Sequence, residues 1–265
     1  MLTNYHTHTT FCDGKNTAEE IVLAALDNGF DAIGFSGHGY TPFDTRYCMK
    51  DVDGYLLEIA RLKEKYKKDI EIYAGVEEDA GHPLDRMRFD YVIGSSHYLR
   101  HGKAYYPVDS SYAYIKECIT LYDGDTLRLA EDYFSTFCDY LNAHTPDIIG
   151  HFDLLTKFDE QDPAFLHDPK YRAIALKYVR IAAKSGAIFE VNTGAIARGY
   201  RTSPYPHAEL LFALKNEGAR VMLSSDSHNK DTLSFGFEDA KALLREIGFT
   251  SSVHLYHGAF ADIPF

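Results

Sequence analysis

Tryptophan is absent from this 265-residue chain, and cysteine occurs only four times, at Cys12, Cys48, Cys118 and Cys138. The cysteines are scattered and form no CxxC pair. That pattern excludes a disulfide scaffold and a zinc ribbon, and leaves reduced thiols in a cytosolic protein as the simplest expectation. No uninterrupted apolar run approaches the ~20 residues of a membrane-spanning helix. The opening "MLTNYHTHTT" lacks the basic segment and apolar stretch of a signal peptide, so a cytoplasmic location is expected. Positive charge is also scarce: 27 Lys and Arg stand against 39 Asp and Glu, a net charge of −12. This balance argues against nucleic acid and membrane partners, whose binding needs clustered Lys and Arg. An anionic ligand would need a local positive centre. Low-complexity linkers, fixed-period repeats and a second core are missing too, so 1–265 reads as a single domain with insertions.

What remains is ordinary in bulk, with 45% apolar and 25% charged residues, as in soluble enzymes. Twenty Tyr and 17 Phe take over as large core and pocket residues. The oddity is 13 histidines. Histidine is a common metal ligand and acid–base group, so their placement matters.

Short β-rich runs recur at 2–6, 31–36, 70–76, 90–96, 147–152, 187–192 and 219–225, with a weaker one at 252–256. Helical patterns lie between most of them. Thr17 and Glu20 have capping-box spacing ahead of a helix over 17–29 that Gly29 would stop. Further helices are expected near 53–67, 109–121, 126–143, 170–185, 205–217 and 237–247, the last three ending at Gly186, Gly218 and Gly248. Strands alternating with helices imply parallel pairing through right-handed crossovers. Seven or eight such strands point to an α/β fold, a closed or nearly closed barrel. The long stretch 98–146 reads as mostly helical and 156–169 as a polar excursion.

Six of these strands deliver a histidine or carboxylate to their C-terminal ends. In chain order they give His6 and His8, His38, Glu77, His97, His151, and Asp226 with His228; Asp13 follows in the first loop beside Gly14. In a parallel barrel those ends converge on one mouth, where active sites lie. Side chains at i and i+2 of an extended segment share a side, so His6 with His8, and Asp226 with His228, can each grip together. Any one of the nine alone reads more readily as structural or solvent-facing. Together they exceed the four ligands of one tetrahedral zinc. They suit a cluster of two or three ions, and imidazole plus carboxylate fits Zn, Mn or Fe without choosing among them.

The segments "HTHTTFCDG", "SGH", "GVEED", "IGSSH", "IGHFD" and "SSDSH", in this order, resemble the PHP (polymerase and histidinol phosphatase) superfamily over nearly the whole chain. The resemblance implies a distorted (β/α)7 TIM-like barrel with helical insertions. Chain length, the segment between His97 and His151, and "EVNTGAIARGYRTSPYP" are similar to the stand-alone histidinol-phosphate phosphatases of that superfamily. It further implies three subsites. His6, His8, Glu77 and Asp226 would hold one ion; Glu77 would bridge to a second, held also by His97 and His151; Asp13, His38 and His228 would hold the third.

Two to three divalent ions would make the mouth locally cationic and draw in a small phosphorylated substrate. A hydroxide bridging two ions would then attack phosphorus, so no catalytic side chain beyond the ligands is expected. The implied activity is hydrolysis of L-histidinol phosphate, in histidine biosynthesis. Nucleotides, sugar phosphates or phosphotyrosine are alternative substrates, and a non-catalytic metal-binding module is the reading from a different class. Arg198 and Arg201, in the loop after "FEVN", and Lys157 are the candidates for holding the phosphate. Glu78 and Asp79 could contact a cationic substrate amine, but solvation is the expectation. Asn192 and Ser96 are expected to orient ligands or to serve the core. His82, His101, His144, His167, His207, His254 and His257 are expected to be structural or exposed.

Overall fold

A computed structural model describes residues 1–265. Strands β1 (Thr3–Asn4), β2 (Ala32–Phe35), β3 (Glu71–Asp79) and β4 (Tyr91–Ser95) are followed by a hairpin of β5 (Tyr98–His101) and β6 (Ala104–Pro107). Then come β7 (Ile148–Ile149), β8 (Ile188–Asn192) and β9 (Val221–Ser224), and a final hairpin of β10 (Ser251–Tyr256) and β11 (Ala259–Pro264). Helices α1 (Ala18–Asp27), α2 (Val52–Tyr66), α3 (Tyr112–Leu121), α4 (Thr126–His144), α5 (Pro169–Ala183), α6 (Gly194–Ala197), α7 (Ala208–Asn216) and α8 (Phe237–Ile247) fill the connections. Seven strands form one parallel sheet in the order β1-β2-β3-β4-β7-β8-β9. It closes only at its C-terminal rim, through a parallel bridge between Thr7 and Ser227. The fold is thus a nearly closed, distorted TIM-like barrel, as expected.

Local signals explain the helix ends. The Thr17 hydroxyl accepts from Glu20 N–H, and the Glu20 carboxylate accepts from Thr17 N–H, which completes the capping box of α1. The weak strand at 252–256 is not a barrel strand. It is β10, paired antiparallel with β11 across the N-terminal end of the barrel. There Val253 and Leu255 pack on Tyr5, Tyr73, Tyr91, Ile148, Ile188 and Met222, and the Tyr5 hydroxyl donates to Leu255 O at 2.6 Å. The stretch 98–146 is less helical than expected because it opens with the β5–β6 hairpin. Residues 156–169 are only partly a polar excursion, since Thr156, Phe158, Asp159 and Phe165 are buried.

Strand alternation divides the core. Outward residues such as Ile33, Phe35, Ile72 and Ala74 meet α1 and α2, while Ile149, Phe189, Val191 and Leu223 meet the helices of the other half. Inward residues fill the barrel, and here two glycines decide the packing. A Cβ on Gly75 would lie 2.2 Å from the Tyr91 ring, and one on Gly34 2.4 Å from its hydroxyl. The bare backbone leaves room for that ring, whose hydroxyl donates to Tyr5 O and Phe35 O. Gly75→Ala should therefore overpack the barrel and cost about 1–3 kcal/mol. Urea unfolding should show a lower midpoint, and an unchanged midpoint would refute this account of the interior.

Candidate metal centre

The pairing of β2 with β3 runs past the strand ends. Gly39 N–H donates to Glu77 O at 2.8 Å and Glu77 N–H to Gly37 O at 3.2 Å, which sets His38 beside Glu77. At the closure, His8 N–H donates to Ser227 O at 2.8 Å and Ser227 N–H to His6 O at 3.1 Å. His6 and His8 therefore flank Thr7, just as Asp226 and His228 flank its partner Ser227. The second arm is not a simple extended segment, because Asp226 lies in the left-handed region at φ +46°. Such a conformation costs of order 1 kcal/mol or more in a non-glycine residue and persists where surroundings enforce it. Gly14 serves the first loop by close approach: a Cβ there would lie 2.5 Å from the backbone of His8 and Thr9.

All nine residues meet at this mouth. Glu77 is buried among five imidazoles, His8 Nε2 the farthest at 3.7 Å from Oε2. Its Oε2 faces His38 Nδ1 at 2.9 Å and His6 Nε2 at 3.3 Å; its Oε1 faces His151 Nε2 at 3.0 Å and His97 Nε2 at 3.2 Å. Asp226 Oδ1 lies 3.2 Å from His8 Nε2 and 3.6 Å from both His6 Nε2 and His228 Nδ1. Asp13, at the rim, stands 3.4 Å from His228 Nε2, 3.5 Å from His8 Nδ1 and 3.7 Å from His38 Nε2.

The donors fit divalent ions on a physical ground. His6 Nε2 and His8 Nε2 are buried, converge on Glu77 Oε2 at 3.3 and 3.7 Å, and have no hydrogen-bond partner. Orphaned polar atoms so deep are costly unless something binds them. Three donor groups lie within 4.8 Å: His8, Asp13, His38 and His228; His6, His8 and Glu77; and His38, Glu77 and His97. His8 and His38 thus each stand in two groups, whereas the resemblance placed each in one. The His8 ring stacks on His228 with centroids 3.9 Å apart, which accounts for its second membership.

Electrostatics point the same way. Burial opposes a charge on His6, but Glu190, Glu77 and Asp226 outweigh it and hold its affinity for a proton well above the ordinary value. Burial also opposes ionisation of Glu77, yet His97, His6 and His38 hold its carboxyl well below the usual range. Burial and the neighbouring rings of His228 and His38 lower His8 instead. Cations of any kind compete for these lone pairs. Cys12 is no donor, since burial and then Asp13 push its thiol up to about 11.

The sequence reading missed Glu190. It lies in β8 beneath the donors, fully buried. Its Oε1 takes His6 Nδ1–H at 2.5 Å and the Ser224 hydroxyl; its Oε2 takes His151 N–H at 2.8 Å and Asn192 Nδ2 at 2.9 Å. A carboxylate on Nδ1 fixes the ring and turns Nε2 toward the site. A lone acid inside the apolar run "AIFEVN" was the available signal, because such a charge must be paired. Asn192 acts through Glu190, while Ser96 offers its carbonyl to the Tyr133 hydroxyl at 2.9 Å. Glu78 and Asp79 are buried, not solvated. Glu78 pairs with Arg86 and accepts from Tyr140 at 2.6 Å, and Asp79 accepts from His97 N–H at 3.0 Å.

The donors open into a cavity of about 430 Å³, lined also by Tyr47, Tyr98, Asp109, Lys157, Arg198 and Tyr200. Arg198 donates to Asp226 Oδ2 at 2.9 Å and to Asp226 O at 3.0 Å. Lys157 donates to Asp109. Arg201 is elsewhere. It is 3% exposed, donates to Thr156 and to Ser203 Oγ at 3.2 Å, and lies over the Tyr205 ring. The structure does not bring it to the cavity.

Residues 4–194 match the PHP domain family. The chain belongs to that family. Over 265 residues it is 30% identical to the "Probable histidinol-phosphatase" of Deinococcus radiodurans, covering 93% of this chain and 94% of that protein. Its identity to the protein of the same name from Schizosaccharomyces pombe is 28% over 277 residues, covering 95% and 88%. Among solved structures, the PHP-domain barrel resembles histidinol phosphate phosphatase from Lactococcus lactis, complexed with zinc, L-histidinol and phosphate. The TM-score is 0.76 at 21% identity, over 98% of each chain.

Because Glu190 fixes His6 and His151 together, Glu190→Gln should weaken divalent metal binding about 10- to 100-fold. Competition for zinc against a chelating dye measures this, and an unaltered affinity would remove Glu190 from the centre.

Proposed function

We propose that this PHP-family protein is a divalent-metal-dependent phosphomonoesterase that hydrolyses L-histidinol phosphate to L-histidinol and phosphate, a step of histidine biosynthesis in the cytoplasm. The observation that carries the reading is the convergence of nine imidazoles and carboxylates, several of them orphaned, at the floor of a cavity sized for a small phosphate ester. The names of relatives aligned over nearly the full chain supply the substrate. In this reading 1–265 acts as one phosphoesterase domain.

His6, His8, Asp13, His38, Glu77, His97, His151, Asp226 and His228 would hold two or three ions, of Zn, Mn or Fe. When bound, such ions neutralise phosphoryl oxygens and make a water acidic enough to attack near neutral pH. The chain's own groups bind and orient. Glu77 presents one oxygen to His6 and His38 and the other to His97 and His151, so a single carboxylate spans the floor. Arg198, anchored by Asp226, faces the cavity beside His228 and can form charge-assisted hydrogen bonds with phosphate. Lys157, which also lines the cavity, contributes a point charge. Helices that could cross a membrane are absent.

A panel of phosphomonoesters tests the assignment. Phosphate release from histidinol phosphate should far exceed release from nucleotides, sugar phosphates and phosphotyrosine, and the reverse order would overturn the substrate. Arg198→Ala should lower kcat/KM on the preferred ester about 30-fold, the loss of ~2 kcal/mol in one charge-assisted contact. An unchanged value would exclude Arg198 from phosphate binding.

A further inference from the structure

The cavity continues outward past the donors, and its outer wall carries acids that phosphate binding does not explain. Four acids line the cavity: Asp13, Asp226, Asp44 and Asp109. The first two face imidazoles. Asp44 is occupied, by Arg46 at 2.8 and 2.6 Å and by the Tyr98 hydroxyl at 3.1 Å. Asp109 differs. Its Oδ2 takes Lys157 Nζ at 3.1 Å and its carbonyl takes the same ammonium at 2.7 Å, while Oδ1 has no hydrogen-bond partner in the chain. A free carboxylate oxygen in a phosphatase cavity repels the phosphate dianion, so a compensating role is required.

Its position suggests one. The β5–β6 hairpin returns beside the donors, where Val108 N–H donates to His97 O at 2.9 Å. Asp109 is the next residue, close to both the donor floor and Lys157. Burial opposes its charge, but Lys157, His97 and His151 hold the carboxyl below its ordinary range. Tyrosines complete the wall. The Tyr47 ring lies 4.6 Å from His38 and 6.3 Å from Tyr98, and Lys157 Nζ lies 5.2 Å from the Tyr200 centroid. A charged acceptor beside flat aromatic faces suits a cation attached to a planar ring.

We infer that Asp109 is the specificity residue for the leaving group: its Oδ1 accepts hydrogen bonds from a primary ammonium on the departing alcohol. Oδ2 meanwhile keeps Lys157 in place, and the ring of the substrate lies along the tyrosines. The ligand class is the phosphate ester of an aromatic amino alcohol. This deepens the histidinol phosphate reading and rests on it.

The test compares histidinol phosphate with its des-amino analogue, which has hydrogen in place of the ammonium. The wild-type protein should prefer the ammonium ester at least 10-fold in kcat/KM. Asp109→Asn should cut that preference about 10- to 100-fold, the worth of one charge-assisted contact, and Asp109→Glu should restore part of it. Lys157→Met should lower kcat/KM on both esters and leave their ratio intact. In the wild-type protein, which needs no variant to fold, L-histidinol should inhibit more strongly than the des-amino alcohol. Equal inhibition by the two alcohols, or a ratio in Asp109→Asn within twofold of the wild type, overturns the role of Asp109 and leaves the phosphatase reading standing. Failure of the wild-type protein to release phosphate from histidinol phosphate overturns the reading beneath it.

Discussion

Two backbone hydrogen bonds, from His8 N–H to Ser227 O and from Ser227 N–H to His6 O, join the first and last parallel strands at the mouth of the barrel. Lower down, β1 and β9 are not paired. The closure and the donor clamp are therefore one event. When Thr7 meets Ser227, His6 and His8 come to face Asp226, and the left-handed turn at Asp226 becomes the way the last strand can present its carboxylate inward. Closing a loop of this length costs little more than closing one half as long, since the entropy grows only logarithmically. The apolar plug from Val253 and Leu255 at the opposite end supplies the burial that holds the barrel shut.

This arrangement explains why an acidic protein can serve an anionic substrate. The net charge of −12 is the excess of 39 acids over 27 bases; exposed pairs such as Lys67–Glu64 and Arg88–Asp53 cancel within themselves, and exposed charges reach little beyond a Debye length. At the mouth the carboxylates of Glu77, Asp226 and Asp13 are instead paired with imidazoles. Local field, not total charge, decides what enters the cavity.

Much of this was legible in the sequence. The parallel barrel followed from alternating strands and helices, and α1 from Thr17, Glu20 and Gly29. The donor set followed from polar residues recurring at strand ends, a pattern whose strength lies in repetition across distant segments. Where the sequence misled, the cause was the lack of such repetition. The 252–256 strand has the right apolar content, but nothing local says that it pairs antiparallel with 259–264 outside the barrel. Arg201 has the same charge and loop as Arg198, yet three residues of chain carry it from the cavity wall into contact with Thr156 and Tyr205. Glu78 and Asp79 look solvated because they adjoin Glu77 in an acidic triplet. Strand alternation and the turn that follows bury them against Tyr140 and His97 instead.

Glu190 and Asp109 show the limit of reading ligands by position alone. Both are single carboxylates in segments that read as something else, one in the interior of a strand and the other at the expected start of a helix. Each becomes meaningful only through what it pairs with. Glu190 has four hydrogen-bond donors and no free direction, so it can only position its neighbours. Asp109 has one oxygen committed to Lys157 and one uncommitted at the cavity, so it can still meet a ligand. The difference between a supporting acid and a recognising acid is thus the count of unsatisfied acceptor positions. That count is fixed by tertiary contacts from β7, β8, β9 and the β5–β6 hairpin, which no window of neighbouring residues contains.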